Sequence, residues 1–168
     1  VSGSACIYPE KKGIPELKEA MIFEGVPHEA QYSYAYSKLS VLLLLESAYR
    51  QYGLEYAYGV LGNIYGPYFK EDINKNGVIP ALITKFAKAS ESEPVTAFGT
   101  GAAIRDFSYS SDVAEALFFL MLNVHGTVNV GSGKETSIKE IVSILQTITG
   151  KSVVWDTTKG DGELRRCI

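Results

Sequence analysis

The order of apolar and polar positions divides the chain into short extended runs and longer helical ones. Val1 to Tyr8 reads as the end of a strand running into a loop. Residues 9 to 30 carry Pro9, Gly13, Pro15, Gly25 and Pro27 among charges, which predicts a loop or short turns. Residues 31 to 52 predict a long helix, stopped by Gly53 as its C-terminal cap. Its centre, Leu39 to Glu46, is apolar almost all round, which predicts burial on more than one side. Glu55 to Tyr65 is rich in Tyr and Val and reads as one strand, followed by a Gly66-Pro67 turn. A polar loop with Asn74, Asn76 and Gly77 leads to a helix from about Ile79 to Ala89, with Pro80 acceptable in its first turn. Val95 to Phe98 and Arg105 to Tyr109 are short extended pieces.

Two further helix starts are marked by side chains. Asp112 with Glu115 suits an N-terminal capping pair before Ala116 to Leu122. Ser137 with Glu140 is a capping box before Ile141 to Ile148, and Gly150 ends that helix. Val128 to Gly131 and Val153 to Trp155 complete the strands. Strands alternating with helices predict an α/β architecture.

Composition narrows the function classes. The chain has 168 residues, 46% apolar and 21% charged, enough for one α/β domain with a real core. A net charge of −3 with no basic cluster argues against nucleic acid as the partner. Cys6 and Cys167 make no disulfide framework, and His28 and His125 stand too far apart to suggest a metal site. The longest run of large aliphatics, Val41 to Leu45, is far too short to span a membrane, and no charged-then-apolar leader opens the chain. The expectation is a soluble, cytoplasmic protein.

Tyr34 and Lys38 carry the first candidate chemistry. Four residues apart, they share one face of the long helix. A lysine ammonium beside a phenol stabilises the phenolate, and a phenol so tuned can pass a proton to or from a sugar oxygen. Ser4 can hydrogen-bond a substrate carbonyl or hydroxyl, and Cys6 can serve as base or nucleophile where its thiolate is stabilised. Each also has a plain reading: a Tyr and Lys on an amphipathic helix, or small residues packed at a strand end.

Taken in order, several segments resemble one family. They are Ser4-Ala5-Cys6-Ile7-Tyr8-Pro9, Tyr34 to Lys38, Gln51-Tyr52-Gly53, Asn63 to Pro67 and Val78 to Leu82. Gly99-Thr100-Gly101 with Arg105-Asp106-Phe107, Asn129 to Gly133, and Asp161-Gly162 with Arg165-Arg166 complete the set. Together they resemble the extended short-chain dehydrogenase/reductases, the NAD-dependent epimerase/dehydratase family. The resemblance implies the C-terminal half of a Rossmann-like parallel sheet plus the small substrate-binding region. It implies Ser4, Tyr34 and Lys38 as a catalytic triad, and Cys6 as a base beside the 4-keto group of a nucleotide-linked sugar. NADPH would reduce that ketone. Lys38 would contact the nicotinamide ribose, and Leu61, Gly62, Asn63 and Ile64 would lie along the nicotinamide. Arg105 would grip the substrate's diphosphate through its bidentate guanidinium.

The chain also departs from the family's pattern. It lacks the glycine-rich pyrophosphate turn after the first strand, so NADPH binding to the isolated chain is expected to be weak. Gly77 stands where the family has a catalytic histidine, with His28 and Lys75 as possible stand-ins. Leu61-Gly62-Asn63 replaces Pro-Thr-Asn, and Phe98 replaces a tryptophan. Against the family the chain reads as truncated at both ends, with the glycine-rich dinucleotide-binding half absent. Three readings follow: an NADP-dependent epimerase/reductase, a simple 4-ketoreductase, or a catalytically silent remnant acting as a binding or oligomerisation module. The apolar helix predicts a homo-oligomer, most simply a two-fold dimer, with residues 39 to 49 in its interface.

Overall fold

A computed structural model describes residues 1–10, 16–69 and 77–168. The sequence expectations for the segments 11–15 and 70–76, including Asn74, Asn76 and Lys75, lie outside the described residues.

The first core forms where the N-terminal segment meets the long helix. Helix α1 (Tyr32–Tyr52) ends at Gly53, whose backbone is left-handed and whose N–H bonds the Tyr49 carbonyl. Ala35, Leu39 and Leu42 form one buried stripe at helical spacing. The expectation of burial on several sides is corrected here: Leu43 and Leu44 remain 49% and 69% exposed. Only one stripe meets the sheet, because a helix lying on a single sheet face can bury only one side. Strand β1 (Ala57–Leu61) lies beneath it and pairs in parallel with β5 (Gly126–Val130), Ala57 opposite Gly126. Ser2 bridges Gly59 on the other side of β1, also in parallel. Ile7, Tyr8, Leu39, Leu42, Tyr58 and Val60 pack together under this layer. Burying one such aliphatic side chain is worth about 1.5–3 kcal/mol, so these contacts, rather than helix propensity, hold α1 in place.

The strand expected from Glu55 to Tyr65 is two strands. β2 (Asn63–Tyr65) leaves β1 at Gly62 and pairs with a different strand, β4 (Ile104–Tyr109), Asn63 opposite Phe107. β4 also pairs antiparallel with β6 (Glu135–Ser137) and in parallel with β8 (Arg165–Arg166). Strand β3 (Val95–Phe98) pairs in parallel with β7 (Val153–Asp156).

The remaining helices seal these sheets. Helix α2 (Val78–Lys88) and helix α4 (Ile138–Thr149) bury Leu82, Phe86, Ile141 and Val142 against Val95 and Ala97 of β3. Lys151 Nζ donates to the Phe86 and Ala89 carbonyls at 2.7 Å, placing a cation on the open carbonyls at the end of α2. Ser137 and Glu140 form the expected capping box reciprocally, and the resulting hydrogen bonds hold the Glu140 carboxyl below its usual range. The Asp112 expectation shifts: helix α3 (Ser110–Asn123) starts at Ser110, with Tyr109 in the cap position, so Asp112 sits inside the first turn. An acidic side chain there still suits the positive end of the helix dipole.

Gly3 lies against the ring of Tyr58, where an added Cβ would sit 2.3 Å from a ring carbon. Tyr58 is fully buried, donates its hydroxyl to the Lys38 carbonyl at 3.0 Å, and burial pushes its pKa up to about 12. Gly3→Ala is therefore expected to lower unfolding stability by about 1–3 kcal/mol, since a packed core resists added volume. Urea denaturation measures it; an unchanged midpoint would show that this contact relaxes freely.

Candidate functional site

One cleft of about 270 Å³ gathers side chains from five separate parts of the chain. Its walls include Ser4 and Cys6 from the first turn, His28 and Gln31 before α1, and Leu61 to Asn63 between β1 and β2. Arg105 and Asp106 of β4, and Glu163 and Arg166 near the C-terminal end, close it.

The first wall is set by local hydrogen bonding. Ser4 is extended and caps a single 3-10 turn, Ala5–Ile7, its Oγ accepting the Cys6 N–H at 3.3 Å. The expected strand end is thus a capped turn, which leaves Cys6 partly exposed at the cleft. Behind it, Tyr8 is fully buried and donates its hydroxyl to Asn129 Oδ1 at 2.6 Å. Burial raises the Tyr8 pKa well above the usual tyrosine range, so this phenol is a structural donor and not an acid of the site.

The opposite wall depends on Asp106. Its side chain is 2% exposed and accepts from Ser132 N at 2.9 Å, Ser132 Oγ at 2.6 Å and Gly133 N at 2.9 Å. Its own carbonyl accepts from Asn63 Nδ2 at 3.1 Å, which seats the Leu61–Asn63 turn against β4. Arg105, the preceding residue, also lines the cleft and donates to the Ile104 carbonyl at 2.7 Å. Burial lowers its guanidinium pKa, and the Glu163 carboxylate opposes that shift.

Tyr34 and Lys38 are adjacent to this cleft and do not line it. Tyr34 is half exposed in the first turn of α1, one turn beyond Gln31. Lys38 Nζ stands 5.9 Å from the Tyr34 ring centre and donates to the Ser2 carbonyl at 3.1 Å. The pair therefore borders the same strand end that carries Ser4. Ile64 is 42% exposed and also lies outside the lining. Of the sequence-proposed residues, Ser4, Cys6, Leu61, Gly62, Asn63 and Arg105 come together; Tyr34, Lys38 and Ile64 stand beside them.

Sequence reasoning assigned no role to Asp106, Glu163 or Arg166. Arg166 Nη2 donates to the Ala5 carbonyl at 2.8 Å and Nη1 to Glu163 Oε2 at 3.1 Å. The only signals were the short segments Arg105-Asp106-Phe107 and Asp161-Gly162 with Arg165-Arg166, which carry no long-range information. His28 does reach the cleft; its Nδ1 accepts from Ala30 N at 3.1 Å, so Nε2 bears the proton in the neutral ring and faces Glu10 at 3.8 Å. Gly77 caps α2, and a Cβ there would meet open space. Among the described residues no group of His, Cys, Asp and Glu could hold a metal ion, and no helix is long and apolar enough to cross a membrane.

The sequence profile of the NAD dependent epimerase/dehydratase family matches residues 1–131. The GDP-L-fucose synthase of Sinorhizobium fredii is 36% identical over 172 residues, covering 99% of this chain and 54% of that protein. The chain thus spans about half the length of the curated relatives it matches. Among solved structures, a GDP-L-fucose synthetase from Naegleria fowleri bound to NADP superposes with TM-score 0.88 at 26% identity, over 99% of this chain and 55% of that one. A GDP-mannoheptose C4 reductase from Campylobacter jejuni with NADP bound superposes with TM-score 0.79 at 28% identity, over 92% of this chain and 58% of that one. Both the family profile, which covers more than three quarters of the residues, and the fold place this chain in the NAD dependent epimerase/dehydratase family.

Proposed function

We propose that this chain is the catalytic and substrate-binding part of an NADP-dependent epimerase/reductase acting on a nucleotide-linked 4-keto-6-deoxy sugar, as the GDP-L-fucose synthase relatives suggest. The observation that supports it is the single cleft shared by Ser4, Cys6, the Leu61–Asn63 turn and Arg105. Arg105 binds the diphosphate, and Ser4 hydrogen-bonds the 4-keto oxygen. Cys6 removes the protons beside that ketone, at C3 and C5, and an acid on the opposite face of the sugar reprotonates the enolate, which inverts each centre. His28 lines the cleft, with its Nε2 proton turned towards Glu10 at 3.8 Å.

The residues present fit the nicotinamide side of a dinucleotide. Gly62 brings the backbone turn against the cleft without bulk, and Lys38 holds a cation at the strand end beside Tyr34. When bound, NADPH supplies hydride to the sugar's C4. Tyr34 delivers the proton to the C4 oxygen, and Lys38 favours the phenolate left behind. The chain contains no Gly-x-x-Gly-x-x-Gly segment to place a helix N-terminus at a pyrophosphate. Calorimetric titration of the 168-residue chain with NADPH is accordingly expected to give a dissociation constant above about 100 μM, a weak complex in free-energy terms. Low-micromolar binding would contradict this.

A simple nucleotide-sugar 4-ketoreductase is the second reading. Gly77 favours it, because the position offers no side chain to act as an acid in epimerisation. A catalytically silent binding module is the third. Substitutions separate them when the chain is assayed as part of a polypeptide of its relatives' length. Tyr34→Phe should lower kcat for reduction by about a hundredfold or more while cofactor binding persists, since the proton is needed only in the transition state. Cys6→Ser should block solvent deuterium uptake at C3 and C5 without abolishing C4 reduction. Reduction unaffected by Tyr34→Phe would remove the phenol from the chemistry, and uptake unaffected by Cys6→Ser would remove Cys6 from it; reduction without any uptake by the unaltered protein would establish the ketoreductase reading.

The nucleotide-sugar enzyme is proposed as a two-fold dimer through α1, where Val41, Leu43 and Leu44 are 36%, 49% and 69% exposed. Their burial against a second copy would contribute roughly 1.5–3 kcal/mol for each fully covered side chain. Sedimentation equilibrium should give twice the chain mass of 18.3 kDa, and Leu44→Glu should restore the monomer. A monomer in the unaltered protein would refute this assembly.

A further inference from the structure

The proposed chemistry uses Arg105 and leaves two other charges of the cleft unexplained. Glu163 and Arg166 are 28% and 15% exposed and bond each other at 3.1 Å. Arg166 also holds the Ala5 carbonyl, directly between Ser4 and Cys6. Among the described residues, the Arg105 side chain makes one hydrogen bond, to the neighbouring Ile104 carbonyl, so most of its donors remain for a ligand. The Asp106 carboxylate is taken up by Ser132 and Gly133, and His28 is turned towards Glu10. What remains is two guanidinium groups facing one carboxylate.

The mounting of that carboxylate is unusual. Asp161 is fixed on one side by Thr100 N, Thr100 Oγ1 and Gly101 N, at 2.7, 2.6 and 3.1 Å. Leu164 is fixed on the other, its carbonyl accepting Ile104 N at 2.7 Å, before β8 joins β4. Between these anchors lie only Gly162, at φ 70°, and Glu163. The Glu163 side chain can therefore swing out of the cleft without breaking a backbone pair. Gly162 supplies the left-handed turn that aims it inward.

We propose that Glu163 is an internal counter-ion, holding the arginine side of the cleft until a diphosphate displaces it. A diphosphate linkage carries two negative charges, matching Arg105 and Arg166 once Glu163 has swung into water. Glu163 thereby weakens binding of all anions at this side of the cleft. This rests on the nucleotide-sugar reading of the site, and the two can be tested apart.

The test is calorimetric titration of the 168-residue chain and its Glu163→Gln variant with inorganic pyrophosphate and with GDP. Glu163→Gln is expected to bind pyrophosphate about tenfold more tightly, as removal of one competing charge at a partly buried pair implies. The gain should shrink as salt rises and vanish in Glu163→Gln/Arg166→Met. Glu163→Ser, which removes the long side chain altogether, should show the same gain, and circular dichroism checks that each variant is folded. Pyrophosphate affinity that is equal or weaker in both Glu163 variants, or no binding by any form, overturns the counter-ion. A gain for pyrophosphate without extra affinity for GDP supports the counter-ion and overturns the nucleotide reading instead.

Discussion

The buried carboxylate of Asp106 is the interaction on which the cleft depends. It takes three hydrogen bonds from Ser132 and Gly133, joining β4 to the turn that follows β5. Hydrogen bonds to a charged group contribute about 1.5–3 kcal/mol each, so this one side chain outweighs any single apolar contact nearby. Gly131 has to be small for it: a Cβ there would lie 2.6 Å from Asp106 Oδ2. Two consequences reach the site. The Asp106 carbonyl seats Asn63, and the strand held at Asp106 carries Arg105 beside it in the cleft wall. β4 thereby gathers β2, β6 and β8 into the sheet that forms one wall.

The other wall is tied down by Asn129. Its side chain accepts from Tyr8 and donates to the Leu17 carbonyl, while its backbone N–H donates to Glu19. Leu17 N in turn donates to the Cys167 carbonyl. Segments far apart in sequence are thus pinned to one strand end of β5. Cys6 and Arg166 meet because both ends of this network converge there. Neither the turn carrying Cys6 nor the short strand carrying Arg166 has enough local hydrogen bonding to hold its place alone.

Local signals in the sequence were sufficient where local physics decides structure. Gly53 ends α1, Ser137 with Glu140 starts α4, and β3 and β7 lie where β-branched residues cluster. Long-range pairing was not legible. The break at Gly62 arises because β1 and β2 find different partners, β5 and β4, which no pattern in Glu55 to Tyr65 encodes. β8 has two residues and exists only through β4. The all-round apolarity of α1 said nothing of which stripe meets the sheet. At the site, residue types pointed to Ser4 and Cys6, and the family resemblance pointed to Arg105 and the Leu61 turn. Glu163 and Arg166 became visible only through contacts across more than a hundred residues, such as Arg166 to Ala5. Tyr34 and Lys38, the most conspicuous spacing in the chain, adjoin the cleft without lining it.

The central claim is that the cleft between Cys6, the Leu61–Asn63 turn and Arg105 receives a nucleotide-linked sugar. The most direct measurement is a two-dimensional amide NMR titration of the isotopically labelled chain with a GDP-linked hexose. The account predicts shifts concentrated at Ala5, Cys6, Gly62, Asn63, Arg105 and Glu163, with a single saturable affinity. Shifts confined instead to the groove between α3 and β5, around Phe119 and Val128, or no shifts at millimolar ligand, would contradict it.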